Sequence, residues 1–219
     1  MSANDYDLII SAKPTESFTE EEKYVLDQYA MNGGKSLWLV DQVAIEIDSL
    51  FNESESSLAI PRDLNLTDFF FKYGIRINPN LIKDLYSAPI LLATGNERDS
   101  QYNKYPWLYS PLSNNSSSHP IVTNIEAVKF DYASSIDTLP NSVKKTILLS
   151  SSQVSKIVGM PKEIDITKEI NKNLTIVNDG PSPKEFGAGE IPLAVLLEGS
   201  FNSAYSNRIK PFTIPNDFE

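Results

Sequence analysis

Residues 63–90 constrain the fold of this chain more than any other segment. Three consecutive phenylalanines, Phe69, Phe70 and Phe71, predict a short helix with a large apolar face. Gly74 ends this helix, because glycine readily adopts the left-handed conformation of many helix stops. From there to residue 85 the alternation of residues predicts one or two strands with a bend at residues 78–80.

The first forty residues predict a strand, a helix and a second strand. Residues 7–11 and 37–40 are short apolar runs, which are typical of buried strands. Between them Thr19 and Glu22 have the spacing of a helix capping box. Two parallel strands joined by a helix are the unit of an α/β sheet. The helical residues expected to face the core are Val25, Leu26, Tyr29 and Ala30.

The remaining segments are assigned by apolar runs and turn residues. Strands are predicted at residues 89–93, 128–132, 146–150 and 191–197, and weakly at 174–177. Residues 41–60 predict a partly helical turn and a mobile loop, and residues 151–161 a helix start or an irregular link. We expect one α/β domain over residues 1–219, with core units at about 6–93 and 120–201. Residues 94–119 form an aromatic and serine-rich insertion loop between them.

Composition excludes several classes of function. The net charge of −10 comes without a cluster of Lys or Arg, so nucleic acid is not an expected partner, because its phosphates need such clusters. The absence of cysteine excludes disulfides, thiolate nucleophiles and cysteine metal sites. The first residues lack the pattern of a signal peptide. Residues 191–197, the longest apolar run, are far shorter than the ~20 residues that cross a bilayer.

An ordered set of segments resembles one known family. It comprises the strand–helix–strand unit at residues 6–41, residues 63–90, HPI at 119–121, ASSID at 133–137, LLSSS at 148–152, and IPLAVLLEGSF at 191–201. This set is similar to the soluble domain of the GldG family of gliding-motility ABC-transporter auxiliary proteins. The resemblance implies a three-layer α/β fold with a mostly parallel sheet, flavodoxin-like or glutamine-amidotransferase-like, with long insertions.

The resemblance also implies a cellular context. This domain belongs, in that family, to a longer membrane-anchored protein on the extracytoplasmic, periplasmic face of the bacterial inner membrane. Its expected partners are the ABC permease, the ATPase and other membrane-complex subunits, with a glycan or peptide as a further possible ligand. We expect no cofactor, no metal and no catalytic residue.

Two polar positions are candidates for a site. Asp41 follows the second strand, where α/β sheets bind ligands; its carboxylate would hold a hydroxyl or an ion, or would cap the next turn. His119 is the only histidine. A serine hydrolase would pair it with Ser151, which follows an apolar run but lacks the flanking glycines of a nucleophile elbow. The motif at residues 33–36, GGKS, precedes a strand and is therefore interpreted as a helix stop rather than a phosphate loop.

The best candidate surface is aromatic. Tyr102, Tyr105, Trp107 and Tyr109 alternate with polar residues, a composition found in interfaces and in sites that stack on sugars or proline-rich peptides. The alternative is a loop folded over its own core, with Trp107 buried. We therefore expect a non-catalytic protein- or ligand-binding domain of an ABC-transport auxiliary protein, associated with gliding motility or surface-protein traffic. The alternatives are a carbohydrate-binding domain and, third, a serine hydrolase.

Overall fold

The structure, a computed structural model, describes residues 3–94, 101–114 and 117–211. Within these residues the helices are α1 (Glu20–Met31), α2 (Thr67–Tyr73) and α3 (Ile166–Asp179). The strands are β1 (Leu8–Ala12), β2 (Lys35–Leu39), β3 (Val43–Ala44), β4 (Ser56–Pro61), β5 (Ile75–Ile77), β6 (Asn80–Asp84), β7 (Ile90–Thr94), β8 (Gln101–Tyr105), β9 (Ile136–Thr138), β10 (Lys144–Ser150), β11 (Ser155–Gly159), β12 (Lys162–Asp165) and β13 (Pro192–Glu198). Short 3-10 helices cover Ala3–Asp5 and Ile47–Leu50.

The predicted strand–helix–strand unit is confirmed. Strands β1 and β2 are parallel, with Leu8 opposite Lys35, and α1 connects them. The hydroxyl of Thr19 accepts a hydrogen bond from the amide of Glu22 at 3.2 Å, and the Glu22 carboxylate accepts one from the amide of Thr19 at 2.9 Å. This reciprocal pair satisfies two helix-end donors, as the capping-box spacing predicts.

The expectation of a mostly parallel, three-layer, flavodoxin-like or glutamine-amidotransferase-like sheet is wrong. After β2, every pairing between the strands that the structure describes is antiparallel: β3–β4, β4–β12, β5–β9, β6–β11, β7–β8 and β10–β13. The sheets contain only two or three strands each. The error has a physical cause: an apolar run predicts a strand but not the direction of its partner, and parallel neighbours need a crossover connection.

Several local predictions differ from the structure as well. The predicted mobile loop contains β4, the predicted link at residues 151–161 contains β11, and residues 174–177 lie inside α3. Helix α3 begins because the Asp165 carboxylate accepts a hydrogen bond from the amide of Lys168 at 2.9 Å. Residues 128–132 form only an isolated bridge between Lys129 and Leu112.

Helix α2 forms as its sequence predicts. Gly74 ends it in the left-handed conformation, with a φ of 95°. Phe69 and Phe70 are buried and pack against Trp38 of β2, with ring centroids 5.8 Å and 5.2 Å apart. Phe71 points outward and is 60% exposed. The apolar face of α2 therefore lies against one face of the β1–β2 pair.

Two larger clusters form the core. The cluster around α2 comprises Leu64, Leu66, Phe69, Phe70, Tyr73, Ile75, Ala204 and Tyr205. The other joins the central strands to α3 and comprises Val43, Ile45, Leu50, Ala59, Leu81, Ile90, Trp107, Tyr109, Tyr132, Ile164, Ile166 and Ile170. Part of the segment predicted as an insertion loop therefore contributes directly to the core.

The buried face of α1 is partly charged. Tyr29 is buried as expected, but Val25 is 41% exposed and Lys23 is only 1% exposed. The ammonium of Lys23 lies 2.7 Å from the Glu20 carboxylate and 3.0 Å from that of Asp68. These two ion pairs compensate the desolvation of the lysine, which a pattern of apolar residues does not reveal.

Asp27 is the second buried charge on α1. Its fully buried carboxylate accepts hydrogen bonds from the Tyr73 hydroxyl at 2.8 Å, the Ser203 hydroxyl at 2.6 Å and the Ala204 amide at 2.7 Å. Burial and the negative charge of Asp27 both raise the pKa of Tyr73 above its ordinary value. One carboxylate thus connects α1, α2 and the segment after β13.

We predict that Asp27→Ala lowers the free energy of unfolding by about 3 kcal/mol or more, because it leaves several buried donors without an acceptor. Urea denaturation followed by circular dichroism measures this loss. Glu21→Ala is the matched control, since Glu21 lies on the same helix and is exposed; its effect should stay within about 0.5 kcal/mol. Equal stability of both variants would contradict the central role of Asp27.

Candidate functional site

The two faces of the β1–β2 pair have different environments. On the inner face Trp38 packs against Phe18 and the two buried phenylalanines of α2. Residues Ile9 and Ser11 alternate onto the same side, and both are partly buried. Helix α2 and the cluster around it therefore cover this face.

The outer face of the pair carries apolar side chains that no other described element covers. The register places Leu8, Ile10, Leu37 and Leu39 on this side, and they are 47%, 56%, 45% and 53% exposed. None of the four belongs to a buried cluster. Parallel strands are normally covered on both faces, so an open apolar face on such a pair is unusual.

Four aliphatic side chains exposed by about half leave roughly 400 Å² of contiguous apolar surface, a size at which patches on monomers are often functional. We call this surface, with the adjoining Ala12 and Lys35, the outer face. The apolar runs at residues 7–11 and 37–40 predict buried strands, and this prediction is wrong for the outer face of the pair. The α-helices between β2 and β13 within the described residues are α2 and α3. Helix α2 packs on the inner face, and α3 packs in the other core cluster.

Asp41 lies just beyond the carboxyl end of β2. Its carboxylate is 4.0 Å from the ammonium of Lys13, which lies 3.0 Å from the Glu46 carboxylate. Burial raises the pKa of Asp41, and the positive charges of Lys13 and Arg62 oppose part of this rise. The next helical turn begins after Glu46, not after Asp41. Asp41 is therefore part of a partly buried charge cluster at the strand ends.

The aromatic segment divides into an exposed and a buried half. Tyr102 is 75% exposed and Tyr105 is half-buried, both on the β7–β8 ribbon. Trp107 and Tyr109 are almost completely buried. Their rings lie 5.7 Å apart inside the core. The arrangement corresponds to a segment folded over its own core, and only the two residues on the ribbon offer ring surface to a ligand.

Tyr109 also borders a buried ion pair. Lys83 and Glu169 form a salt bridge in the interior, and the Lys83 ammonium lies 4.5 Å from the centre of the Tyr109 ring. Burial lowers the pKa of Lys83, while the charge of Glu169 opposes this shift. Both charged groups are buried and paired with each other, so this group connects β6 to α3 inside the core and is not an accessible site.

Ser151 and His119 are engaged separately. The buried Ser151 hydroxyl accepts from the amide of Ile191 at 2.9 Å and lies 3.3 Å from the Gly189 carbonyl, to which it can donate. The Nδ1 atom of His119 accepts from the amide of Ile121 at 3.3 Å. Among the described residues the structure shows no hydrogen bond between this imidazole and a serine. The neighbouring Ser152 donates to Asp84 through its amide and its hydroxyl, each at 2.6 Å.

An open cleft of about 390 Å³ lies beside these serines. It is lined by Ser117, Ser118, Ile147, Ser150, Glu190 and Pro192. The described residues of its walls supply hydroxyl groups and one carboxylate but no aromatic ring. Elsewhere in the described chain, no group of three or more His, Asp or Glu side chains is placed to hold a metal ion. None of the described helices is long and apolar enough to cross a membrane.

Comparisons with known proteins match the chain to one family. A family model described as "ABC-type uncharacterized transport system" matches residues 2–219. A solved structure, the mmIFT52 N-terminal domain, is similar with a TM-score of 0.44 and 17% sequence identity, over 72% of this chain. The chain spans 57% of the length of that domain, and a likeness of this degree defines neither fold nor function. No curated protein matches the chain.

We predict that the free energy of unfolding of the Asp41→Asn variant increases relative to that of the native chain as the pH rises. The pKa of Asp41 is raised in the folded state above its ordinary 3.8. The folded chain then binds more protons than the unfolded chain, so stability falls as pH rises from 3.8 through the raised value. Urea denaturation at about pH 3 and about pH 7 measures the difference.

The exposed Asp48 provides the control for this comparison. Asp48→Asn measures the effect of replacing an exposed carboxylate outside the Asp41 charge cluster, and the change in stability of Asp41→Asn between the two pH values is compared with it. If Asp41→Asn were less stable than the native chain only at the higher pH, the ionised carboxylate would be favourable where it lies, and the assigned cause of the shift would be wrong.

Proposed function

The chain belongs to the family of ABC-type uncharacterized transport systems, and we propose from this that it is a non-catalytic binding domain that docks onto another subunit of its transport system. The observation that carries the proposal is the outer face of the β1–β2 pair. A contiguous apolar face on a parallel pair is unfavourable in water, and burial against a partner removes that cost.

The side chains needed for the hydrolase alternative do not favour it. The hydroxyl of Ser151 is buried and bonded to backbone groups at Gly189 and Ile191. A nucleophile needs a base within hydrogen-bond reach, and the ring of His119 is engaged with the amide of Ile121. These contacts argue against hydrolysis by Ser151 and His119.

The cellular location, the biological process and the partners are proposed from resemblance alone. The similarity to the GldG family supports a position on the extracytoplasmic face of the bacterial inner membrane, within a membrane-anchored parent protein. It also supports a role in gliding motility or surface-protein traffic. The partners proposed on this ground are the permease, the ATPase and other subunits of the membrane complex.

We predict that Ile10→Glu combined with Leu37→Glu weakens binding to the transport complex about a hundredfold, because two carboxylates would be placed in an apolar interface. The measurement is co-purification of the full-length protein with the permease and ATPase of its own system, followed by titration. Ile157→Glu is the control, since Ile157 is 47% exposed on β11.

All three proteins should unfold at similar urea concentrations, because the substituted side chains are already half-exposed. If the double variant binds as tightly as the native protein, the outer face is not the docking surface and the proposal is rejected. The same holds if the native protein does not associate with any subunit of the complex.

A further inference from the structure

We infer that the outer face binds a single amphipathic helix of a partner subunit, about three turns long, with a carboxylate placed opposite Lys35. The inference rests on the proposed function and names the chemistry of the partner segment. It follows from the dimensions of the face, from the area it offers and from the position of one charge.

The dimensions of the outer face fit one helix. Two strands lie about 5 Å apart, so with their side chains the face is about as wide as the ~10 Å diameter of a helix. Each strand has five residues, which at ~3.3 Å per residue gives ~16 Å of length. A helix rises ~1.5 Å per residue, so about eleven helical residues cover this length.

The packing rules of α/β structure also indicate that a helix would cover the outer face. Parallel strands with one helical layer normally carry a second layer on the opposite side. The inner face of this pair has its helical layer in α2, through Trp38 and the two buried phenylalanines. A partner helix on the outer side would complete the three-layer arrangement that the chain itself lacks.

The area argues against a second copy of this chain as the occupant. Two outer faces packed against each other would bury roughly 800 Å² in total, below the ~1,200 Å² of stable standard interfaces. A partner helix carried by a larger subunit is not limited in this way, because contacts beyond the helix add to the interface.

Lys35 supplies the charge that the partner must match. It lies on the outer face beside Leu8 and is exposed. Within the described part of the chain it forms no ion pair, whereas Lys13 at the other end of the strands is paired with Glu46. A cation at the edge of an apolar face favours a partner with a carboxylate at that position.

The backbone fixes the position of Lys35. The helix stop before it has Gly33 at a φ of 86°. Gly34 lies against the ring of Tyr29, where a Cβ atom would come within 2.4 Å of the ring. The Gly34 amide donates to the carbonyl of Tyr29 at 2.9 Å. Strand β2 therefore begins at one defined place, and Lys35 marks a fixed end of the outer face.

The experiment places a photo-reactive benzoylphenylalanine at Leu37 in the full-length protein, assembled with its transport complex, and maps the cross-linked peptides by mass spectrometry. The same group at Ile157 is the control. We expect cross-links from Leu37 to one amphipathic helical segment that carries Asp or Glu, and none of these from Ile157. In parallel, Lys35→Glu should weaken binding about tenfold, whereas Lys35→Arg should not.

The outcomes separate this inference from the proposed function. If the complex forms but Leu37 cross-links to an extended strand of a partner subunit, the helix is refuted while the docking function stands. Cross-links from Leu37 to a second copy, to lipid or to nothing refute both the helix and the outer face as the docking surface. Equal binding of Lys35→Glu and Lys35→Arg refutes the charge pairing. If no complex forms with the native protein, the proposed function itself fails, and the inference fails with it.

Discussion

The carboxylate of Asp27 holds together three parts of the chain that lie far apart in sequence. It is fully buried and accepts hydrogen bonds from Tyr73 in α2 and from the segment at Ser203 and Ala204. A buried carboxylate without donors costs several kcal/mol, so these segments must assemble together. Because α2 is held in this way, its phenylalanines meet Trp38 and cover the inner face of β1–β2.

The same arrangement explains why the other face of that pair is open. In the described chain α2 packs on the inner side of the pair. Helix α3 contributes Ile166 and Ile170 to the other core cluster, which contains the central strands. No further α-helix is present between β2 and β13 in the described ranges to form an outer layer. The exposure of the apolar side chains of the outer face is therefore a property of the fold, and the docking role that we propose rests on it.

Local interactions made part of the fold predictable. The capping box of Thr19 and Glu22, the helix stop at Gly74 and the β1–β2 unit all depend on residues close in sequence. The burial of Lys23 and Asp27 was not predictable in this way, because it depends on Asp68 and Tyr73, which pair with them from more than forty residues away. An assignment from apolar periodicity places charged residues on the exposed face of a helix, although charges that are paired can be buried.

The sequence by itself determined the family, the first strand–helix–strand unit and the exclusion of cysteine chemistry, because these depend on residue identity and short spacing. Only the tertiary structure decided the antiparallel direction of the later strands, the burial of Trp107 and Tyr109, and the exposure of the outer face. Strand direction and the covering of a face are set by which distant segments meet, and no local pattern of residues encodes that choice.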